Sequence, residues 1–237
     1  MRNPIQSHLR NFGLRLGTSI TILTILFTGI ANGHSGDDHD NFEYDNLKLV
    51  EKSKVDRAYI DPDADFGEYR RIKILHPYVA FRRNWQRDQN RARSRRVSAR
   101  DVERIKTDVA RLFAEVFTKT LESHGRFEIV EETGDDVLIL RPAIIDLDVA
   151  APDTLSANRQ TTFTTSAGAA TLYLELFDSV SGAIIGRAVD RRSVRGAAGS
   201  LAWTNRGTNT AEARRLFGNW AGLLRDFLDR HAPQPSN

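Results

Sequence analysis

The chain has 237 residues, of which 40% are hydrophobic and 27% charged, a balance typical of a globular protein with an apolar core. Lysine and arginine total 34 against 31 acids, and three arginines near the N-terminus account for the whole excess. A protein-wide basic field for nucleic acid is therefore excluded. The absence of cysteine excludes disulfides and the lipid-bearing cysteine of a bacterial lipoprotein.

Residues 1–33 predict a secretory signal peptide. Three arginines and no acid precede an apolar run at 20–30, which is followed by the small residues Ala31 and Gly33. The run is shorter than the ~20 apolar residues that a spanning helix needs. We therefore predict cleavage after Ala31 or Gly33 and no transmembrane segment in the mature chain. The mature protein is expected in the periplasm, soluble or held at the outer membrane by contacts, where nucleic acid is not an expected partner.

Residues 34–54 predict a disordered acidic leader. Its first part, HSGDDHDNFEYDN, contains two histidines and several aspartates, which leaves weak binding of a divalent metal open. A solvated leader is favoured, because an unfolded ligand cluster must be ordered on binding, and no metal or cofactor site is assigned. Residues 34–68 carry eleven acids and four bases, whereas residues 70–100 carry eleven bases and one acid. The leader lying across the basic stretch is one interpretation of this asymmetry.

A single α/β domain is expected over residues 55–231, with a disordered tail at 232–237. The first predicted strands cover 55–60 and 69–81, and Pro77 indicates an edge, a bulge or a strand end in the second.

A long amphipathic helix is the clearest predicted element. Ser98 and Asp101 resemble a capping box, Gly125 fits a left-handed stop, and apolar residues between them recur at spacings of three and four. Its predicted apolar stripe comprises Val102, Ile105, Val109, Leu112, Phe113, Val116, Phe117 and Leu121.

The second half of the chain predicts strands, a hairpin and a final helix. The strands cover 127–132 and 137–150, and the hairpin (171–178 with 183–193) closes at residues 179–182 with Asp178 capping the turn. A helix from about Thr210 follows a polar segment at 151–168, expected to be a mobile loop. The predicted fold class is α+β (an α/β two-layer fold): a mixed, mostly antiparallel β-sheet with two amphipathic helices packed on one face.

Three stretches resemble a bacterial envelope family described only as domain of unknown function 3313. They are AYIDPDADFGEYRRIKI (58–74), VAFRRNW (79–85) and LYLELFDSVSGAIIGRAVDRR (172–192). The resemblance covers about residues 55–230 and implies an exported protein of this fold. Many members look like lipoproteins, from which this chain departs by lacking the cysteine. The family offers no catalytic motif to carry over.

The sequence contains no recognisable catalytic constellation, so a non-enzymatic protein is predicted. There is no thiol, no nucleophile elbow and no zinc-binding motif. By alternation, Asp146 and Asp148 share one strand face, with Ile145, Leu147 and Val149 on the other. Such a carboxylate pair is available for acid–base hydrolysis, but the wet face of a strand explains it more simply. Asp190 with Arg191 and Arg192 is interpreted as a structural ion-pair set rather than a contact for an acidic partner.

The segment AFRRNWQRDQNRARSRR (80–96) is the best candidate for contact with an anionic partner. Residues 81–85 are expected to pack partly, and residues 86–96 are expected to form a solvated loop. The candidate partner-binding or anion-binding residues are Arg82, Arg83, Trp85, Arg87, Arg91, Arg93, Arg95 and Arg96.

Three functions remain at this stage. The preferred one is a binding or assembly module of the cell envelope with an unknown envelope partner. The alternative is a binder of lipid headgroups or lipopolysaccharide through the Arg82–Arg96 loop, where each arginine near an anionic membrane supplies ~1 kcal/mol. The least favoured is a hydrolase using Asp146 and Asp148.

Overall fold

The structure is a computed structural model that describes residues 46–91, 96–149, 169–193 and 206–231. The strands are β1 (Lys48–Leu49), β2 (Arg57–Ile60), β3 (Arg71–Ile74), β4 (Tyr78–Phe81), β5 (Glu128–Ile129), β6 (Val137–Asp148), β7 (Ala169–Asp178) and β8 (Ile184–Ser193). The helices are α1 (Trp85–Arg91), α2 (Ala99–Glu122) and α3 (Arg206–Arg230).

The strands form one mixed sheet in the order β1-β2-β8-β7-β6-β3-β5, with β4 also paired to β6. Pairs among β1, β2, β8, β7 and β6 are antiparallel, whereas β3 and β4 run parallel to β6. The predicted fold class is therefore confirmed. The stretch 69–81, expected as one strand, divides at Pro77 into β3 and β4, because proline donates no ladder hydrogen bond. Both pieces still pair with β6.

Helix α2 begins and ends as its sequence predicts. The Ser98 hydroxyl accepts a hydrogen bond from the Asp101 amide (3.2 Å), and the Asp101 carboxylate accepts one from the Ser98 amide (3.1 Å). The chain leaves the helix through Gly125 at φ +67°, a left-handed conformation that glycine adopts without steric cost. The capping box and the stop are thus confirmed.

Helices α2 and α3 lie on the same face of the sheet. Phe113 of α2 meets Phe217 of α3 edge-on at 5.4 Å between ring centroids, and both are buried in the main core. That core also contains Leu172, Leu174 and Leu176 of β7, so alternate β7 residues face the helices. Within the described residues, no helix combines the length and apolar character needed to cross a bilayer.

Two of the differences from the sequence predictions concern the acidic leader and the arginine-rich segment. Strand β1 lies inside the predicted leader and pairs with β2, so regular structure begins before residue 55. Helix α1 replaces the first part of the predicted loop at 86–96. The predictions for residues 1–33, 34–45, 151–168 and 232–237 fall outside the described residues.

Candidate functional site

Trp85 is a core residue and not a surface contact. Its side chain is 1% exposed and stacks on Phe81 with 3.8 Å between ring centroids. Its indole nitrogen donates a hydrogen bond of 2.7 Å to the carbonyl of Val149. This tertiary contact fixes the start of α1 and buries the ring that the sequence analysis selected as a candidate partner-binding residue.

The side chain of Arg82 also makes contacts within the fold. Its guanidinium forms ion pairs of 2.8 Å with both Asp88 of α1 and Asp148 of β6. The hydrogen bond from Arg82 is the main reason that the pKa of Asp88 lies below its ordinary value. Arg82 thus ties α1 to the end of β6, and any role in binding a partner would first require breaking these contacts.

Four of the candidate arginines remain on the surface: Arg83, Arg87, Arg91 and Arg96. Arg93 and Arg95 fall outside the described residues. The flanks of this basic segment are held by Asn90, whose side chain accepts a 2.6 Å hydrogen bond from the Val97 amide and donates one of 3.3 Å to its carbonyl. The sequence prediction of a solvated basic surface therefore applies to part of the segment only.

The Asp146/Asp148 pair does not follow simple strand alternation. The register of β6 on β7 shifts between Ile145 and Asp148, and Asp146 has φ +51°. A bulge inserts a residue and re-aims the side chains after it, so Ile144 rather than Ile145 is buried in the core with Leu147. Asp148 pairs with Arg82, whereas Asp146 lies 3.6 Å from Arg191. The two carboxylates therefore have different cationic partners.

Asp190 is a buried structural junction. It is 0% exposed, and it accepts hydrogen bonds from the Trp220 indole (2.7 Å), the Asp56 amide (3.0 Å) and the Arg192 guanidinium (2.6 Å). Asp56 in turn accepts one from the Arg191 amide at 2.8 Å. The carboxylate joins β8 to α3 and to the start of β2, so Asp190 is buried whereas the side chains of Arg191 and Arg192 stay exposed.

The face of the sheet opposite α2 and α3, here named the open face, carries arginines and aromatic residues in cross-strand rows. Its members follow from the registers of β2, β8, β7, β6 and β4. One row reads Tyr59, Arg187, Glu175, Arg141; the next reads Arg57, Val189, Tyr173, Ala143, Tyr78; the third reads Arg191, Thr171, Ile145. None of the described helices packs on this face.

Glu175 lies at the centre of the open face and is held by three side chains. It accepts hydrogen bonds from Arg141 Nε (2.6 Å), Arg187 Nη2 (3.1 Å) and the Tyr173 hydroxyl (3.0 Å). Burial, followed by the charge of Glu175, raises the pKa of Tyr173 to about 12. Two guanidinium groups surround one carboxylate, so this cluster carries excess positive charge.

Aromatic rings pack beside the guanidinium groups of the open face. Arg141 lies 4.8 Å from the centroid of the Phe177 ring, and Arg187 lies 5.9 Å from that of Tyr173. Tyr78, at the end of its row, is 64% exposed. Arginine and tyrosine are the residue types enriched at protein interfaces.

This cluster was missed by the sequence analysis, although the sequence contains a signal for it. In LYLELFD, Leu172, Leu174 and Leu176 alternate with Tyr173 and Glu175. Counting outward from the four-residue turn at 179–182 places Gly186 opposite Glu175. A one-residue register shift between Leu176 and Phe177 brings Arg187 opposite Glu175 instead, so the alternation marks the face but does not find the pair. The third member, Arg141, depends on pairing between β6 and β7.

No metal centre is found in the described part of the chain, where no group of three or more histidines and acids is arranged to hold an ion. The histidines of the leader fall outside it.

Comparison with known families assigns the chain. A family model described as "Protein of unknown function (DUF3313)" matches residues 37–224. The chain belongs to this family. The resemblance that the sequence predicted is confirmed, and the match extends into the acidic leader. No curated protein matches the chain.

Solved structures show distant likenesses to this DUF3313 member. A PelC dodecamer from Paraburkholderia phytofirmans is 12% identical, with a TM-score of 0.36 over 72% of this chain and 94% of that chain. A hypothetical protein from Chlamydia trachomatis is 10% identical, with a TM-score of 0.36 over 68% and 98%. A Xanthomonas campestris protein of the DUF330 family is 12% identical, with a TM-score of 0.37 over 72% and 93%. Similarity at this level supports no statement about function.

Proposed function

We propose that this protein is exported to the cell envelope and acts there, without catalysis, as a binding or assembly module. Its binding surface is the open face, and its partner is an acidic polypeptide segment. The signal-like residues 1–33 support export. The carboxylates of Asp148, Glu175 and Asp190 are each held by arginine within the scaffold, which favours structural roles for them.

One observation carries the binding proposal: the open face surrounds its buried Arg187–Glu175 pair with exposed side chains, namely Arg57, Arg141, Arg191 and Tyr78. Arg141 and Arg191 are more than half exposed there. Guanidinium groups bind carboxylates through two parallel hydrogen bonds, and neighbouring rings add apolar contact area. An extended acidic segment that runs along the strands repeats its side chains every ~6.6 Å on one side, which matches the spacing between the rows.

Photo-crosslinking in the envelope tests this surface. A photoreactive amino acid at Tyr78 is compared with one at Val180, because both side chains are 64% exposed but Val180 lies in the β7–β8 turn. We expect the Tyr78 probe to capture one discrete partner, and the Val180 probe to capture much less of it. Equal yields from the two positions, or no discrete product from Tyr78, would refute the assignment of the open face.

Cell fractionation tests export separately. Leu23→Arg together with Leu26→Arg interrupts the apolar run of the signal segment, whereas Leu9→Arg leaves that run intact. We expect the double variant to remain in the cytoplasm at the precursor mass. Its appearance in the envelope fraction at the mature mass would contradict export by this route.

A second candidate function rests on the exposed arginines near α1. Arg83, Arg87, Arg91 and Arg96 together present a basic surface to an anionic lipid or lipopolysaccharide. Changing these four to alanine is expected to abolish co-sedimentation with anionic vesicles at low salt. A matched control changes four exposed arginines of the helical layer, Arg100, Arg104, Arg111 and Arg214. Equal losses from both sets would remove this candidate.

A further inference from the structure

We propose that the outward side of α1 binds the phosphate groups of anionic lipid headgroups, and that Arg82 is the positioning residue of this surface. Arg82 holds the carboxylate of Asp88, so that Arg87 and Arg91 are left to bind phosphate. This inference rests on the second candidate function, because it names the ligand group of the same basic surface and the residue that controls its binding.

The orientation of α1 is set by contacts on its inward side. Trp85 is buried, and the Asn90 side chain bonds to the amide and the carbonyl of Val97 at 2.6 and 3.3 Å. These contacts hold one side of the helix against the fold. Arg87 and Arg91 lie one turn apart on the other side, and both are exposed. Helical side chains at this spacing are neighbours, so both guanidinium groups can reach one phosphate.

Asp88 is an acid of the same helix that competes with phosphate for these two arginines. Its Oδ1 lies 3.6 Å from Arg87 Nε, whereas its Oδ2 accepts a shorter hydrogen bond of 2.8 Å from Arg82 Nη1. The pKa of Asp88 is lowered mainly by that hydrogen bond, and the charges of Arg82, Arg87 and Arg91 act in the same direction. Asp88 is therefore ionised, and its shortest contact is with Arg82.

The guanidinium group of Arg82 is fixed by two carboxylates from different elements. Its Nη1 binds Asp88 of α1, and its Nε forms an ion pair of 2.8 Å with Asp148 of β6. The Arg82 side chain is 34% exposed, against 57% for Arg87. Arg82 therefore belongs to the support of the surface rather than to its contact layer. Without Arg82, the carboxylate of Asp88 would pair with Arg87 or Arg91 and repel phosphate.

Co-sedimentation with vesicles that contain phosphatidylglycerol tests the positioning role. Arg82→Gln should lower the binding constant about tenfold at low salt, because the variant loses one cation and releases Asp88 onto a second. Asp88→Asn should change binding of the parent little, since Arg82 already holds that carboxylate. In the Arg82→Gln background, the same change should restore binding to within about threefold of the parent.

Asp148 supplies the matched control, because it is also bound to Arg82 at 2.8 Å but lies on β6. Asp148→Asn in the Arg82→Gln background should not restore binding. Equal rescue by the two carboxylate changes overturns the inference, since it shows that only the net charge matters. Equal gains from Asp88→Asn with and without Arg82 overturn it for the same reason.

Arg82→Lys is the second variant, used if Arg82→Gln lowers the urea midpoint of the protein. Lysine keeps the charge but lacks the planar fork that reaches two carboxylates, so vesicle binding should fall about threefold. Asp88→Asn should again restore it. Unchanged binding by Arg82→Lys overturns the inference.

The inference and the candidate function fail separately. If the parent binds the vesicles and the effects of Arg82→Gln and Asp88→Asn are additive, only the positioning role of Arg82 is overturned. If the parent does not sediment with phosphatidylglycerol vesicles, both are overturned. Equal sedimentation with vesicles of phosphatidylcholine alone also overturns both, because binding then needs no anionic headgroup.

Discussion

The β7–β8 hairpin has one buried carboxylate on each of its two faces, and the two carboxylates accept hydrogen bonds from different kinds of donor. Asp190, on the helix-covered face, is bound by a main-chain amide, the Trp220 indole and one arginine. Among the described residues, Glu175 on the open face accepts hydrogen bonds from side chains, those of Arg141, Arg187 and Tyr173. Backbone and indole donors cannot turn away without disturbing β2 or α3, whereas Arg141 can swing into solvent. Asp190 therefore belongs to the structural scaffold, whereas the side chains around Glu175 can rearrange.

The largest expected effect comes from Asp190→Ala. It leaves the Trp220 indole and the Asp56 amide without an acceptor, so the free energy of unfolding should fall by about 4 kcal/mol. Urea denaturation of the mature protein measures this value. Asp190→Asn, which preserves the shape and one acceptor, should cost less. If Asp190→Ala lowers the free energy of unfolding no more than Glu175→Ala does, the proposed difference between the two carboxylates is wrong.

Glu175→Ala should cost about 2 kcal/mol, because Arg187 loses a charged hydrogen bond in a buried position while Arg141 moves to solvent. A triple apolar replacement (Arg141→Met, Glu175→Leu, Arg187→Met) should recover stability to within about 1 kcal/mol of the parent. The same triple variant should lose the captured partner. Loss of partner capture without loss of stability would show that the cluster serves binding; retained capture would contradict it.

Alkaline titration examines the open face through Tyr173. The pKa of Tyr173 is raised from an ordinary 10.0 to about 12, so the folded state favours the neutral phenol. The associated stability is present below pH 10 and is lost as the pH rises through about 12. Tyr173→Phe should reduce this decline, as measured by urea midpoints at increasing pH. The pKa of Tyr69 is also raised, mainly by burial, so part of the decline should remain.

The smallest effect on stability is expected from Arg191→Gln. Arg191 is 62% exposed and lies 3.6 Å from Asp146, a surface pair worth less than about 0.5 kcal/mol. Its loss should nevertheless reduce partner capture by the Tyr78 probe, because an exposed cation leaves the open face. A large fall in the urea midpoint would instead place Arg191 in the scaffold with Asp190.

Elements with local determinants were predicted well. Helix α2 carries its own start at Ser98, its own stop at Gly125 and its apolar spacing between them. The hairpin turn is similarly local, because Asp178 accepts hydrogen bonds from the amide and hydroxyl of Ser181, as its predicted capping role requires. The arrangement of β6 was missed where a bulge at Asp146 reverses the alternation, since a bulge leaves no mark in a pattern of apolar and polar residues.

The candidate site was predicted less well, since pairing between charges depends on distant chain segments. The arginine-rich segment was selected because many arginines lie close together in the sequence. In the structure, however, Trp85 is buried against Val149 and Arg82 is paired with Asp148. The open face contains no dense run in the sequence, because its arginines come from β2, β6 and β8. Only the strand registers bring them into rows.

Residues close in the chain thus settled the fold class, the long helix, the hairpin and membership of the family. These features depend on backbone hydrogen bonds and apolar periodicity within a few turns or strands. The tertiary structure decided which charged groups are buried, which are paired and which face of the sheet the described helices cover. Burying a carboxylate such as Glu175 or Asp190 is favourable only when donors from other strands and helices converge on it, and that convergence exists only in the assembled sheet.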